Sequence, residues 1–247
     1  MKKLLLVAAI SCALLPASAK VIEGLFEHSQ NLPPIGIQKP GTTFDESKMP
    51  VTDSKNRWYK IPQWLAGSWQ SKQQSLRYQY DYRTRREFSG KNWLTYYQAN
   101  EEFGKQMDKQ GNVWDMPVVP LVKTAVDKET TSYHDILDVQ YIEVSEDSVA
   151  LRVRSLVTLV SRATGAVVDS YQQESISVRL PESNGLLRVI DSIKVFDAQG
   201  QPIRKSRVEA VAHRTKPFQP IDTKAGQDLR KLFAEFLQAQ GQASLIP

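Results

Sequence analysis

The sequence predicts a mainly β fold: an antiparallel up-and-down meander closing into a barrel, with a C-terminal α-helix packed on it. Three observations carry this expectation. From Leu76 the residues alternate, with Leu76, Tyr78, Tyr80 and Tyr82 on one face and Arg77, Gln79, Asp81 and Arg83 on the other, which is the period of a strand. Long alternating runs then recur, among them Val149, Leu151, Val153, Ser155, Val157, Leu159 and Leu187, Val189, Asp191, Ile193, Val195, each closed by a cluster of Gly, Asp, Asn or Ser. Near the end, Leu229, Leu232, Phe233, Phe236 and Leu237 follow the i, i+3, i+4, i+7, i+8 spacing of a helix with one apolar stripe.

The chain opens on Met1-Lys2-Lys3, an apolar stretch from Leu4 to Leu15, and Pro16-Ala17-Ser18-Ala19 before Lys20. A basic start, a short apolar region and a small-x-small site are the parts of a secretory signal peptide, so residues 1–19 are expected to direct export to the periplasm or medium and to be cleaved after Ala19. The apolar stretch falls short of the ~20 residues a spanning helix needs. Ala9-Ile10-Ser11-Cys12 loosely resembles a lipidation site. However, the apolar run continues past Cys12 and a complete conventional site follows, which argues against a lipid-anchored form.

From Lys20 to Arg57, prolines at 33, 34, 40 and 50 among polar residues read as an extended arm. The folded domain is placed at 58–247. Ile61-Pro62-Gln63-Trp64-Leu65-Ala66 reads as a helical turn, and Gly67-Ser68-Trp69 leads into the first strand. Turns are expected at 107–112, 145–148, 162–165, 182–185 and 197–200. Strands this long tend to curl closed, which would remove their unpaired edges. The helix is placed at 223–240, capped by Asp222 or Thr223 and ended by Gly241.

Lys and Arg number 32 against 27 Asp and Glu; without Lys2 and Lys3 the balance is 30 to 27, a net charge of +3. With no long basic block or nucleic-acid motif, this mild excess gives no reason to expect a nucleic-acid partner. Loss of the signal segment removes Cys12, the single cysteine, and with it any disulfide or thiol chemistry. His28, His134 and His213 lack the spacing of a zinc site, so no metal or other cofactor is expected.

Leu65-Ala66-Gly67-Ser68-Trp69, followed by a meander and a terminal helix, resembles the opening and layout of lipocalin-like barrels of the calycin type. The resemblance implies that Gly67 and Trp69 form the opening motif and that Trp69 closes the barrel floor and packs beneath an Arg from a late strand, for which Arg188 or Arg207 is the candidate. It also implies an exported, non-enzymatic binding protein for a small apolar or amphipathic ligand. Tyr78, Tyr80, Tyr82 and Trp93 are candidate lining residues, beside Tyr96, Tyr97 and Trp114.

Two carboxylates fall on otherwise apolar faces: Glu174 with Ile176, Val178 and Leu180, and Asp191 with Val189, Ile193 and Val195. If both point inward, each needs a partner such as an Arg or a bound ligand, so Glu174 and Asp191 join Tyr78, Tyr80, Tyr82 and Trp93 as candidate ligand-binding residues. Their convergence in a cleft would permit acid–base catalysis by a hydrolase or isomerase. There is no Gly-x-Ser-x-Gly elbow, phosphate-binding Gly loop or His-Glu-x-x-His, so no catalytic residue is assigned. The competing expectation is a structural or interaction protein of a bacterial envelope assembly, with the arm and exposed strands engaging a protein partner.

Overall fold

Alternating side chains build strands of unusual length. The computed structural model describes residues 26–50, 57–118, 122–125 and 128–247, without the side chains of 90–92, 96–97 and 122–125. The expected signal segment with Cys12, the first residues of the arm, and the Tyr96 and Tyr97 side chains lie outside that description. In chain order the strands are β1 (Tyr59–Ile61), β2 (Gly67–Asp81), β3 (Arg86–Phe103), β4 (Gln106–Met107), β5 (Val113–Asp115), β6 (Val122–Ala125), β7 (Thr130–Val144), β8 (Val149–Ser161), β9 (Val167–Glu182), β10 (Leu186–Phe196), β11 (Pro202–Pro217), β12 (Thr223–Lys224) and β13 (Gln227–Asp228), followed by helix α1 (Leu229–Ala239). Several strands are two to three times the usual 5–6 residues.

One antiparallel sheet runs β3-β2-β11-β10-β9-β8-β7-β6. It curls strongly: Glu101 of β3 reaches Arg179 of β9, which lies four strands away in the sheet order. Among the described residues, however, no strand pairing joins β3 to β6 or β7, so the sheet is open and the expected barrel is not formed. Closure requires the two edges to meet in a consistent register. Here β6 spans only four residues and pairs with Thr131–His134 alone. The space inside the curl is taken by the Tyr59–Ala66 segment, whose Ile61, Leu65 and Ala66 pack with Trp69, Leu187 and Val189 in the main core. A lipocalin-type barrel, and the enclosed ligand pocket it implies, is therefore overturned.

Trp69 anchors this core at 2% exposure, with its indole N–H donating to the Leu65 carbonyl at 2.7 Å. The cation over its ring is Arg214 of β11, 4.7 Å from the ring centre. Arg188 lies instead beside Glu182, and Arg207 beside Glu209. The register explains this: the start of β2 pairs with the end of β11, placing Trp69 opposite Arg214. Gly67 holds φ at +123°, and a Cβ there would come within 2.6 Å of the Lys216 carbonyl, so only glycine lets the two strands approach.

The predicted apolar stripe does form a helix, but it starts at Leu229 and not at 223. Ala225 and Gly226 both take positive φ and close the two-residue hairpin β12–β13, so the cap falls to Asp228, whose carboxylate accepts the Lys231 N–H at 2.9 Å. Leu229, Phe233 and Leu237 pack with Trp58 and Met116, away from the main core.

The described arm is strapped to the sheet. Leu32 N–H donates to the Gly200 carbonyl and Ile35 N–H to the Ala198 carbonyl, each at 3.0 Å. Further along, Gly41 and Thr42 bond to Val167, and Met49 is buried.

Candidate functional site

A polar cluster centred on Glu174 holds the arm. Glu174 of β9 is fully buried, and its two oxygens are saturated from several directions. His28 Nδ1 lies 3.1 Å from Oε1, and the Ser29 N–H donates to the same oxygen at 2.8 Å. The Ser29 hydroxyl and Arg154 Nε donate to Oε2 at 2.9 and 3.1 Å. Lys194, opposite Glu174 in the ladder, donates to the Ser29 carbonyl at 2.7 Å. Burial alone would raise the Glu174 pKa, but the hydrogen bonds from His28, Ser29 and Arg154 prevail and hold it down at about 2.

The other nitrogen of His28 lies 2.9 Å from the Ser192 hydroxyl, so Ser192, His28 and Glu174 stand in the order of a nucleophile, base and acid. The surroundings suit a clamp better than a triad. Ser192 sits mid-strand, in register with Ile176 on one side and Arg207 on the other, where backbone donors are committed to the ladders and not free to stabilise an oxyanion. Glu174 is in addition neutralised by Arg154, with Arg152 3.8 Å away.

Asp191 does not join this cluster. It pairs with Ser177 while Glu174 pairs with Lys194, and positions 174 and 177, three apart on one strand, face opposite sides of the sheet. Asp191 bonds to the Ser177 hydroxyl and lies 3.5 Å from Arg179, which also holds Glu101. Burial raises the Asp191 pKa against the pull of Arg179. The same inner seam continues through Asp115, which accepts from the Tyr141 hydroxyl at 2.6 Å and from Lys105 at 2.8 Å. The acid–base pairing that would have supported a hydrolase or isomerase is therefore not assembled.

The aromatic candidates are divided as well. Tyr78 and Tyr80 pair with Arg207 and Lys205, on the face that carries Lys194 and Glu174; Tyr80 meets Tyr82 edge-on at 5.0 Å, and Lys194 lies 5.6 Å from the Tyr82 ring. Trp93 pairs with Leu76 on the opposite face and is 56% exposed, so it lines no enclosed cavity with them. Trp93 belongs to a different feature: β3 is one of the two edge strands of the sheet, and Phe88, Trp93 and Leu94 are all about half exposed along it.

His28, Ser29, Arg154 and Ser192 escaped sequence reasoning because their contacts span up to 165 residues and follow no periodicity. Arg214 had a signal, since the end of the last long strand must lie near the start of the first strand if the two are neighbours. No family profile, curated protein or solved structure matches the chain. Among the described residues, no helix is long and apolar enough to cross a membrane, and no group of three or more His, Cys, Asp or Glu could hold a metal ion.

Proposed function

We propose that this is an exported, non-enzymatic interaction protein of a cell envelope, whose curled sheet is stiffened by its own arm and presents its free edge to a partner. The observation that supports this reading is β3, an 18-residue edge strand carrying Phe88, Trp93 and Leu94 in solvent. Edge strands are normally short, charged or covered, and large apolar side chains left on one mark an interaction surface. The arm is engaged with its own domain through Glu174, which argues that the edge, and not the arm, meets the partner.

The test is a photo-crosslinking amino acid placed at 88, 93 or 94 in the native envelope, with 144 and 168 as exposed apolar controls on other strands. Adducts confined to the β3 positions are expected. Equal labelling at every position, or none at β3, would remove the reading.

A further inference from the structure

We infer that the partner of this edge is an anionic membrane surface, docked by the β2–β3 hairpin and the outer strand. The inference rests on the edge-docking reading above. It begins at the hairpin turn, where the Asp81 carboxylate accepts the N–H groups of Arg83 and Thr84 at 2.9 and 2.8 Å. Arg85 completes the turn with φ at +56°. The β8–β9 and β10–β11 turns place Gly165 and Gly200 at positive φ instead. A side chain in the left-handed region is strained, so this turn keeps a cation where its backbone favours glycine. Arg83, Arg85 and Arg86 are all exposed; the Arg83 charge acts on the Asp81 carboxylate of the same turn, while Arg85 and Arg86 point into solvent. The charge of Arg85 and Arg86 is available to an outside partner.

The apolar residues behind the tip point to both sides of the strand. Phe88 pairs with Gln79 and Trp93 with Leu76; these lie opposite Ser206 and Val208, two apart on β11, so Phe88 and Trp93 share a face. Leu94 points the other way, and Trp93 and Leu94 are 56% and 53% exposed. A protein lying on the sheet would cover one face. A strand lying edge-on in a headgroup layer is surrounded, so both faces lose water together, and a Trp with nearby Arg is the composition such a layer favours.

On the Leu94 side an open groove of about 650 Å³ is lined by Lys72, by Arg77 paired with Glu209, and by Arg188 beside Glu182, with Val211, itself 54% exposed, among its lining. Lys72 stands where a lipid phosphate would lie once Leu94 enters the headgroup layer, and Arg77 and Arg188 flank it from their carboxylate partners. Addition of a peptide strand fits less well. The register of β3 against β2 shifts between Ala99 and Tyr96 and again between Trp93 and Ser89, which breaks the outer row of backbone donors and acceptors into short pieces.

The test uses the chain as recovered from its own envelope, so that any leader or modification is shared by all variants. Co-sedimentation is measured with phosphatidylcholine vesicles alone and with vesicles containing about 30% phosphatidylglycerol, at low and high salt. Binding is expected to the anionic vesicles only and to weaken with salt. Arg85→Gly, which relieves the turn, is expected to lose roughly fivefold in affinity, and Trp93→Ser at least as much, with no change in thermal unfolding. Equal binding to both vesicles, no binding to either, or anionic binding untouched by Arg85→Gly and Trp93→Ser would overturn the inference. Protein adducts from the β3 photo-crosslinkers without vesicle binding would overturn the lipid partner and leave the edge-docking reading standing.

Discussion

Glu174 shows how one residue can pin the start of the described arm, at His28 and Ser29. An unpartnered carboxylate at its depth would neutralise or unfold its surroundings, and it is stable there because the arm and Arg154 supply its hydrogen bonds. Its folded pKa of about 2 lies below its ordinary value of 4.5, so its stabilisation is fully present above about pH 4.5 and fades as pH falls through 2. That difference corresponds to roughly 3 kcal/mol. Denaturant titrations of Glu174→Gln at pH 7 should therefore show a loss of that order. The native chain's decline in stability between pH 5 and 2 should shrink in the variant by a similar amount. An unchanged acid slope would mean that the clamp is not what carries it. Asp191 works in the opposite sense. Its pKa is raised by burial, so its contribution to stability is fullest in acid and is lost as pH rises through the folded value.

At the scale of elements, the next stretch of the arm, from Leu32 to Ile35, leans on one turn. A Cβ on Gly200 would sit 1.7 Å from the Leu32 carbonyl oxygen, whereas one on Gly185, also at positive φ, meets nothing within 4 Å. Both alanine variants strain a turn, but only Gly200→Ala should release the arm. Limited proteolysis should cut it within residues 26–35 while the Gly185→Ala arm stays protected. The helix offers a second check: Phe233 is fully buried among Trp58, Trp114 and Phe236, and Phe233→Ala should cost about 3–5 kcal/mol in denaturant unfolding. These elements also show what a sequence can convey. Period-two alternation locates the long strands, and the clusters at 145–148, 162–165 and 197–200 locate their turns, because both are local properties of the backbone. The spacing places the start of the helix too early because Ala225-Gly226 makes a hairpin that competes with helix propagation, and an alanine at positive φ leaves little trace in the sequence. Edge pairing and the contacts of His28 are not local, so alternation could neither exclude closure of the sheet nor reveal the Glu174 clamp.

For the molecule as a whole, the difference between an open and a closed sheet is a difference in which backbone groups meet water. In a barrel every strand has two neighbours and every amide of the meander is tied into a ladder. Here β3 has β2 on one side only, while β9 and β10 are flanked on both sides by long strands. In an antiparallel pair about every second residue of an edge strand points its N–H outward. Amide exchange followed by NMR should therefore divide β3 into fast and slow amides, with the fast ones exchanging nearly as in an unfolded chain, and should find the amides of β9 and β10 slow throughout. Uniform protection along 86–103 in the isolated monomer would restore closure and remove the free edge. If the division holds, adding anionic vesicles should slow the outward-facing amides of β3 without changing those of β9. A lipid interface would shield the exposed edge while leaving the inner ladders as they were, so this measurement joins the openness of the sheet to the surface it is proposed to meet.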